Sequence, residues 1–549
     1  MVARYGSACS HPTWILTIDQ RPEPEFGVHG SRLACNMHIE GLFMTSEHTS
    51  PTNEDRVATG IKGLDDVIGG GLTPHRVYLI EGNPGSGKTT LALRCLLEGV
   101  RRGETVLYIT LSETKTELEA VACSHGWSLD GLSLVELVAR ESDLDSDSQY
   151  TMFHPSEVEL TVTTKEILTQ VEQLKPTRVV IDSLSEVRLL AQNPLRYRRQ
   201  VLALKQFFMG RKCTVFLLDD RTSESHDLQL QSIAHGVIEL EQLSPEYGAE
   251  RRRLRISKLR GRIYRGGYHD FKIVHGGLEV YPRLVASEHL ENDDEEQLKS
   301  NVPELDALLG GGIEFGTSVL LVGPAGTGKS SLATKFVKAA TDSGLGAAIF
   351  AFDERRRTLL RRSRGLGIDL DLPIAKGSLT IQQVDPAELS PGEFAHAVRR
   401  SVDGENGHKG AKVVVIDSLN GYLNAMPEER FLTAQLHELL TYLGNKGVIT
   451  FLIVAQHGVV GQNMQTPVDT SYVADAVILF RFFEAQGLVR QAISVVKKRI
   501  GDHERAIREY SLSHQGITVG APLRDFHGIL TGTPHFTVQT DTLAGGGDD

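Results

Sequence analysis

Short apolar runs bounded by glycine or charge recur along this chain, with helix-like stretches between them. Val77-Tyr-Leu-Ile80, Val106-Leu-Tyr-Ile109 and Arg178-Val-Val-Ile-Asp182 lack the polar alternation of a half-exposed strand. The same texture returns in Val319-Leu-Leu-Val322, Ala348-Ile-Phe350 and Val413-Val-Val-Ile416. Strands apolar on both faces belong in a mostly parallel sheet covered by helices on each side. Leu91-Ala-Leu-Arg-Cys-Leu-Leu97 and Leu332-Ala-Thr-Lys-Phe-Val337 are predicted to be such helices. The fold class this implies is α/β.

The pattern is an internal repeat. Thr59-Gly-Ile-Lys-Gly-Leu-Asp-Asp-Val-Ile-Gly-Gly-Gly71 is echoed by Val302-Pro-Glu-Leu-Asp-Ala-Leu-Leu-Gly-Gly-Gly312. Leu64 and Leu305 stand 241 positions apart, as do Lys88 and Lys329, and Glu113 and Glu354. The offset becomes 235 between Asp182 and Asp417 and 239 between Lys258 and Lys497. An offset that holds and then drifts slightly marks duplicated domains with altered loops. The expected organisation is a disordered extension over 1–54, a first domain over 55–284 and an acidic linker over 285–299. A second domain over 300–531 and a flexible tail over 532–549 complete it. Translation starting at Met44 is a further expectation for the polar N-terminal stretch.

Between a predicted strand and helix, each repeat carries G-x-x-x-x-G-K-[ST]. In the first copy the residues are Gly82, Gly85, Ser86, Gly87, Lys88, Thr89 and Thr90. In the second they are Gly323, Gly326, Thr327, Gly328, Lys329, Ser330 and Ser331. Glycines let backbone N–H groups face an anion, and the helix N-terminus adds positive potential. Lys88 and Lys329 are expected to reach the β- and γ-phosphates of ATP, with Thr89 and Ser330 on Mg²⁺. Two copies in a strand–loop–helix context make nucleotide binding the firmest expectation.

Acids follow the predicted strands. Asp182 and Asp417 end theirs, where α/β sheets present ligands, and are expected to hold Mg²⁺ through its water shell. Glu113 follows one strand, and Asp353 and Glu354 follow its counterpart. These suit orientation of the attacking water, with Glu354 also a metal candidate, although a helix-start acid is the alternative. Gln456, after another strand, is a candidate sensor of the γ-phosphate, with a merely hydrogen-bonded strand-end amide as the alternative. Lys258-Leu-Arg260 and Lys497-Lys-Arg499 put two cations on one side of a strand, suited to a γ-phosphate, a neighbouring subunit's included. A solvated edge strand charged against aggregation is the competing interpretation. Arg251-Arg-Arg253 and the cluster Arg355, Arg356, Arg357, Arg361, Arg362 and Arg364 are expected to be solvated or subunit-interface charges, with contact to nucleic acid or an acidic partner surface as the alternative.

Composition narrows the partners. At 549 residues, 40% hydrophobic and 23% charged, the chain has apolar material for two cores. A net charge of −12 argues against a DNA-coating protein. The five cysteines form no C-x-x-C pair, which points to a reducing cytoplasm without a zinc site. No run is long enough to span a membrane, and the N-terminus lacks the apolar core of a signal peptide.

With tandem phosphate loops, strand-end acids and a Lys-x-Arg strand in each repeat, the chain resembles the KaiC-like family of tandem RecA-like ATPases and autokinases. The likeness spans about residues 55–531 and is most specific from Ala492 to Tyr510. It implies two RecA-like P-loop domains and a two-tiered homohexamer with ATP between subunits. Lys258, Leu259 and Arg260, and Lys497 and Arg499, would meet the neighbour's nucleotide, and Ser124 would lie near it. Lys88, Glu113, Lys329, Asp353 and Glu354 would be catalytic. The family's second ring phosphorylates a Ser-Thr pair; here Ser471 fits the serine as phosphoacceptor, with Asp353 as base, but Tyr472 replaces the threonine. Ser112 replaces one of the two acids in the first domain. Signalling partners of the KaiB or histidine kinase/response regulator kind follow from the same likeness. The rivals are a RadA- or DnaB-like DNA motor and a nucleotide-gated hexameric scaffold without turnover.

Overall fold

The computed structural model describes residues 56–137, 155–221, 228–246, 248–289, 296–385, 387–405, 407–424, 432–456, 474–529 and 535–536. Two nine-stranded sheets dominate. The first comprises β1 (Val77–Gly82), β2 (Val106–Thr110), β3 (Leu132–Glu136), β4 (Arg178–Asp182), β5 (Thr214–Asp220), β6 (Gly236–Leu243), β7 (Arg251–Leu259), β8 (His269–Val274) and β9 (Gly277–Tyr281). Their order is β3-β2-β4-β5-β1-β6-β7-β8-β9. The pairs from β3 to β6 are parallel, and those from β6 to β9 antiparallel.

A short pair, β10 (Gln297–Leu298) with β11 (Ile313–Glu314), leads into the second sheet. That sheet holds β12 (Ser318–Gly323), β13 (Gly346–Ala351), β14 (Leu379–Gln383), β15 (Ala411–Asp417), β16 (Ile449–Ala455), β17 (Ala476–Ala485), β18 (Leu488–Lys498), β19 (Arg508–Ser513) and β20 (Gly516–Pro522). The order repeats the first sheet: β14-β13-β15-β16-β12-β17-β18-β19-β20.

The expectation of strands buried on both faces holds. Every residue of β1 is buried. Tyr78 and Ile80 join the apolar cluster around the helix Lys88–Arg101, whereas Val77 and Leu79 join the cluster on the opposite face. In β12, Val319 and Leu321 face one cluster while Leu320 and Val322 face the other. Two covered faces explain why neither strand could show alternation. The glycine-rich leads also correspond: Thr59 Oγ1 donates to Asp65 at 2.9 Å, and Ser300 Oγ to Asp306 at 2.7 Å.

Strand β8 links the modules. Phe271 and Ile273 turn toward Gly87 of the first phosphate loop. Their neighbours turn the other way: Asp270 accepts from the Gly392 N–H at 2.7 Å, and Lys272 pairs with Glu393 at 2.5 Å. Both partners lie in the first turn of the helix Pro391–Asp403. No helix among the described residues is long and apolar enough to cross a membrane.

Candidate active site

Each phosphate loop joins the C-terminal end of a central strand to a helix that begins at its lysine, Lys88–Arg101 and Lys329–Asp342. Gly87 and Gly328 precede those helices with φ of 99° and 92°, in the left-handed region where a side chain is strained. A Cβ on Gly328 would also lie 2.7 Å from the Tyr510 ring. Both features explain the glycines.

In the first site Lys88 is buried and donates to the carbonyls of Gly82 at 2.9 Å and Asn83 at 3.1 Å. It also forms an ion pair with Asp220 at 2.6 Å. Thr89 Oγ1 donates to Asp182 Oδ2 at 3.1 Å, which brings together two expected metal ligands from residues far apart in sequence. Tyr108 donates to the same oxygen at 2.5 Å. Burial pushes the Asp182 carboxyl up, opposed by those two hydrogen bonds and by Lys88. Glu113 lies close enough to feel Asp182, but burial is the larger influence raising its pKa, and its Oε2 is buried without a hydrogen-bond partner. Ser86 Oγ is likewise buried and unpartnered, while Thr90 is buried at the base of the loop helix.

The second site repeats this frame with different partners. Lys329 donates to the carbonyls of Gly323 at 2.8 Å and Pro324 at 2.7 Å. Burial lowers its pKa to about 8, with Asp417 acting in the opposite direction. Thr327 Oγ1 donates to Pro324 O at 2.9 Å. Asp417 is raised by burial, and a hydrogen bond from Ser330 opposes the rise. Asp353 accepts from Ser418 Oγ. Glu354 is held by Arg362 at 2.9 Å, and Arg362 also donates to Ser331 Oγ at 3.0 Å. Arg362 therefore corrects the expectation that its cluster is wholly solvated or interfacial: it reaches into the second site. The Gln456 N–H donates to Gly323 O at 3.1 Å, and its Oε1 accepts from Arg481 at 2.6 Å.

The Lys-x-Arg strands lie away from the loops of their own module. Lys258 pairs in register with Val237, and Val237 with Leu79, three residues before Gly82. At about 3.3 Å per residue this is roughly 10 Å back along the sheet. Lys258 donates there to Gln231 O at 2.5 Å and Arg260 to Ser232 O at 3.2 Å. Leu259 points into the core at 8% exposure, leaving its backbone for any ligand. In the second module Lys497 pairs with Val477, which pairs with Leu320, again three residues before the loop glycine. Lys497 donates to Ala474 O at 2.7 Å, and Arg499 meets Asp475 at 3.0 Å. Ser124 ends the exposed side of a helix, donates to Val121 O at 2.7 Å and meets the β8–β9 hairpin through His275. Ser471 and Tyr472 lie outside the described residues.

Mg²⁺ suits the oxygen-only pairs Thr89 with Asp182 and Ser330 with Asp417. Among the described residues no group of three or more His, Cys, Asp or Glu is arranged as a metal cage. A Mg²⁺ ion shared with phosphates takes one or two protein ligands and needs no such cage.

Sequence reasoning gave no site role to Tyr108, Asp220 or the loop-covering pair Phe271 and Tyr510, and placed Arg362 among solvated or interface charges. The offset of 239 relates Phe271 to Tyr510 and could have singled that pair out.

Residues 57–285 and 298–524 each match the family described as "ATPase: KaiC". The chain is 27% identical over 501 residues to the circadian clock oscillator protein KaiC of Thermostichus vulcanus, spanning 89% of this chain and 94% of the relative. It is 26% identical over 497 residues to the circadian clock protein KaiC3 of Synechocystis, spanning 89% and 96%. Against the oscillator protein KaiC of Prochlorococcus marinus the identity is 26% over 496 residues, spanning 89% and 97%.

Proposed function

The chain belongs to the KaiC family of ATPases, and from that premise we propose a Mg²⁺-dependent, cytoplasmic ATPase that works as a homohexamer, with nucleotide between subunits in two tiers. The observation that carries this is the convergence of Thr89 on Asp182 beside the buried Lys88, repeated by Ser330, Asp417 and Lys329. Loop N–H groups and the lysine bind the triphosphate. Thr89 and Asp182, or Ser330 and Asp417, hold the metal, which when bound offsets charge on the β- and γ-phosphate oxygens. Glu113, Glu354 and Asp353 orient the attacking group.

Each Lys-x-Arg pair serves a neighbouring subunit. The register supports this role, since Lys258 and Lys497 lie about three strand residues behind their own loops. In the second tier Asp353 takes the proton from the hydroxyl of a neighbour's Ser471, whose oxygen then bonds to the γ-phosphorus while ADP departs. Tyr472 beside it suggests a single-site mark rather than a two-residue cycle. The circadian names of the relatives make a timer or signalling role the natural context, with KaiB-like or histidine kinase/response regulator proteins as partners.

The test is incubation with ATP and Mg²⁺, followed by intact-mass analysis. One phosphate per chain, absent from Ser471→Ala, is expected. Unchanged labelling in that variant removes the kinase role and leaves the ATPase.

A further inference from the structure

The first site has Ser112 where the second has Asp353, yet it contains a third carboxylate. Asp220 ends β5, pairs in register with Gly82 and places Oδ1 2.6 Å from Lys88 Nζ. Its charge reaches both Glu113 and Asp182. In the second module the residue paired with Gly323 is Ala455, which has no carboxylate.

The surrounding side chains differ in step. Ser185 donates to Asp220 Oδ2 at 3.0 Å and hydrogen-bonds Ser183. At the counterpart of Ser185, Asn420 instead clasps the backbone of Ala455 with bonds of 2.9 and 2.8 Å. At the counterpart of Ser183, Ser418 donates directly to Asp353. In each module the serine after the strand-end aspartate therefore leads to a third carboxylate. The first module reaches it through Ser185, at Asp220 on the end of β5, and the second reaches it directly, at Asp353 after β13.

We propose that Asp220 joins Glu113 as the second water-orienting carboxylate of the first site, filling the role that Asp353 fills beside Glu354 in the second. This rests on the first site hydrolysing ATP, as proposed above. An arriving triphosphate draws Lys88 to its β- and γ-oxygens, which frees Asp220 Oδ1 while Ser185 still holds Oδ2. The Asp220 side chain is 26% exposed, so water has access. Water held by Oδ1 attacks the γ-phosphorus and forms a new P–O bond. The bond from the γ-phosphorus to the β,γ-bridging oxygen breaks, and its electron pair leaves with ADP. The water proton passes to Asp220 and then to the released phosphate.

The competing role for Asp220 is a resting partner that only stores Lys88 in position. The test uses the full chain carrying Glu354→Gln to silence the second site. Asp220→Asn keeps the shape and the bond from Ser185 while removing the base. Its kcat is expected to fall about 100-fold, with KM and the calorimetric affinity for ATP changed by less than about threefold. Adding Ser112→Asp returns a carboxylate from the side used by the second module and is expected to recover turnover. Undiminished kcat in Asp220→Asn overturns the assignment. So does a loss that appears in ATP affinity and unfolding temperature and is not recovered by Ser112→Asp. Absence of turnover in the Glu354→Gln parent overturns the hydrolytic first site itself, and Asp220's role with it.

Discussion

Arg362 Nη2 lies 2.9 Å from Glu354 Oε2, so the proposed catalytic acid of the second site already has a cation partner. At the equivalent helix position the first site has Val121, and Glu113 keeps an unpartnered carboxylate oxygen. The lysines show the opposite arrangement. Lys88 pairs with Asp220, whereas the residue facing the second loop at that register is Ala455. The two modules share a backbone frame and differ in which member of each site has a partner of opposite charge.

Removing the guanidinium exposes this difference. In Arg362→Ala, Glu354 loses its counter-charge and Ser331 loses a donor. A charged hydrogen bond of about 1.5–3 kcal/mol corresponds to roughly tenfold or more in second-site turnover. We expect that loss with KM little changed, measured in a Lys88→Ala background that reports on the second site alone. Equal turnover with and without Arg362 contradicts it.

Cations supplied across a subunit boundary predict complementation. Lys88→Ala removes a loop lysine and Arg260→Ala a distant cation, so each protein alone is expected to lose most first-site turnover. In the proposed hexamer, mixing the two proteins creates interfaces that pair an intact Lys88 with an intact Arg260. Turnover should therefore rise on mixing, with a maximum near equal proportions, in an assay with the second site silenced by Glu354→Gln. A flat response to mixing ratio places Arg260 outside the neighbour's site.

Acid should weaken the first module through His269. This side chain is fully buried; its Nε2–H donates to Arg265 O at 2.9 Å, and Nδ1 accepts from the Arg283 N–H at 2.8 Å. Burial lowers its pKa to about 4, so the unfolded chain takes up the proton first. The stabilisation is complete above the ordinary value near 6.5 and is lost as pH falls from there toward 4, by up to about 3 kcal/mol. Thermal unfolding from pH 7 to pH 5 should show the decline, with a shallower slope in His269→Gln. Identical slopes in the two proteins remove His269 as the cause.

The sequence announced the sheets because β1 and β12 are covered on both faces, so burial left an unbroken apolar run. The Thr89–Asp182 contact was legible too, since the phosphate loop and a strand-end acid belong at the same edge of a parallel sheet. Asp220 was harder to find. It follows an apolar run like other strand-end acids, but its role depends on β5 pairing with β1, a neighbour relation that local pattern does not encode. Arg362 was hidden among six arginines in and around a polar helix. Its significance comes from Glu354, eight positions earlier and across the helix start. Tyr108 looked like any β2 core residue, because only its hydroxyl end meets Asp182.

The central claim, two MgATP sites per chain built on Lys88 and Lys329, is tested most directly by calorimetric titration of the full chain with ATP and Mg²⁺. The account predicts a stoichiometry of two, falling to one in Lys88→Ala or Lys329→Ala and to none in the double variant. A parent chain that releases no heat, or a double variant that still binds two nucleotides, contradicts it.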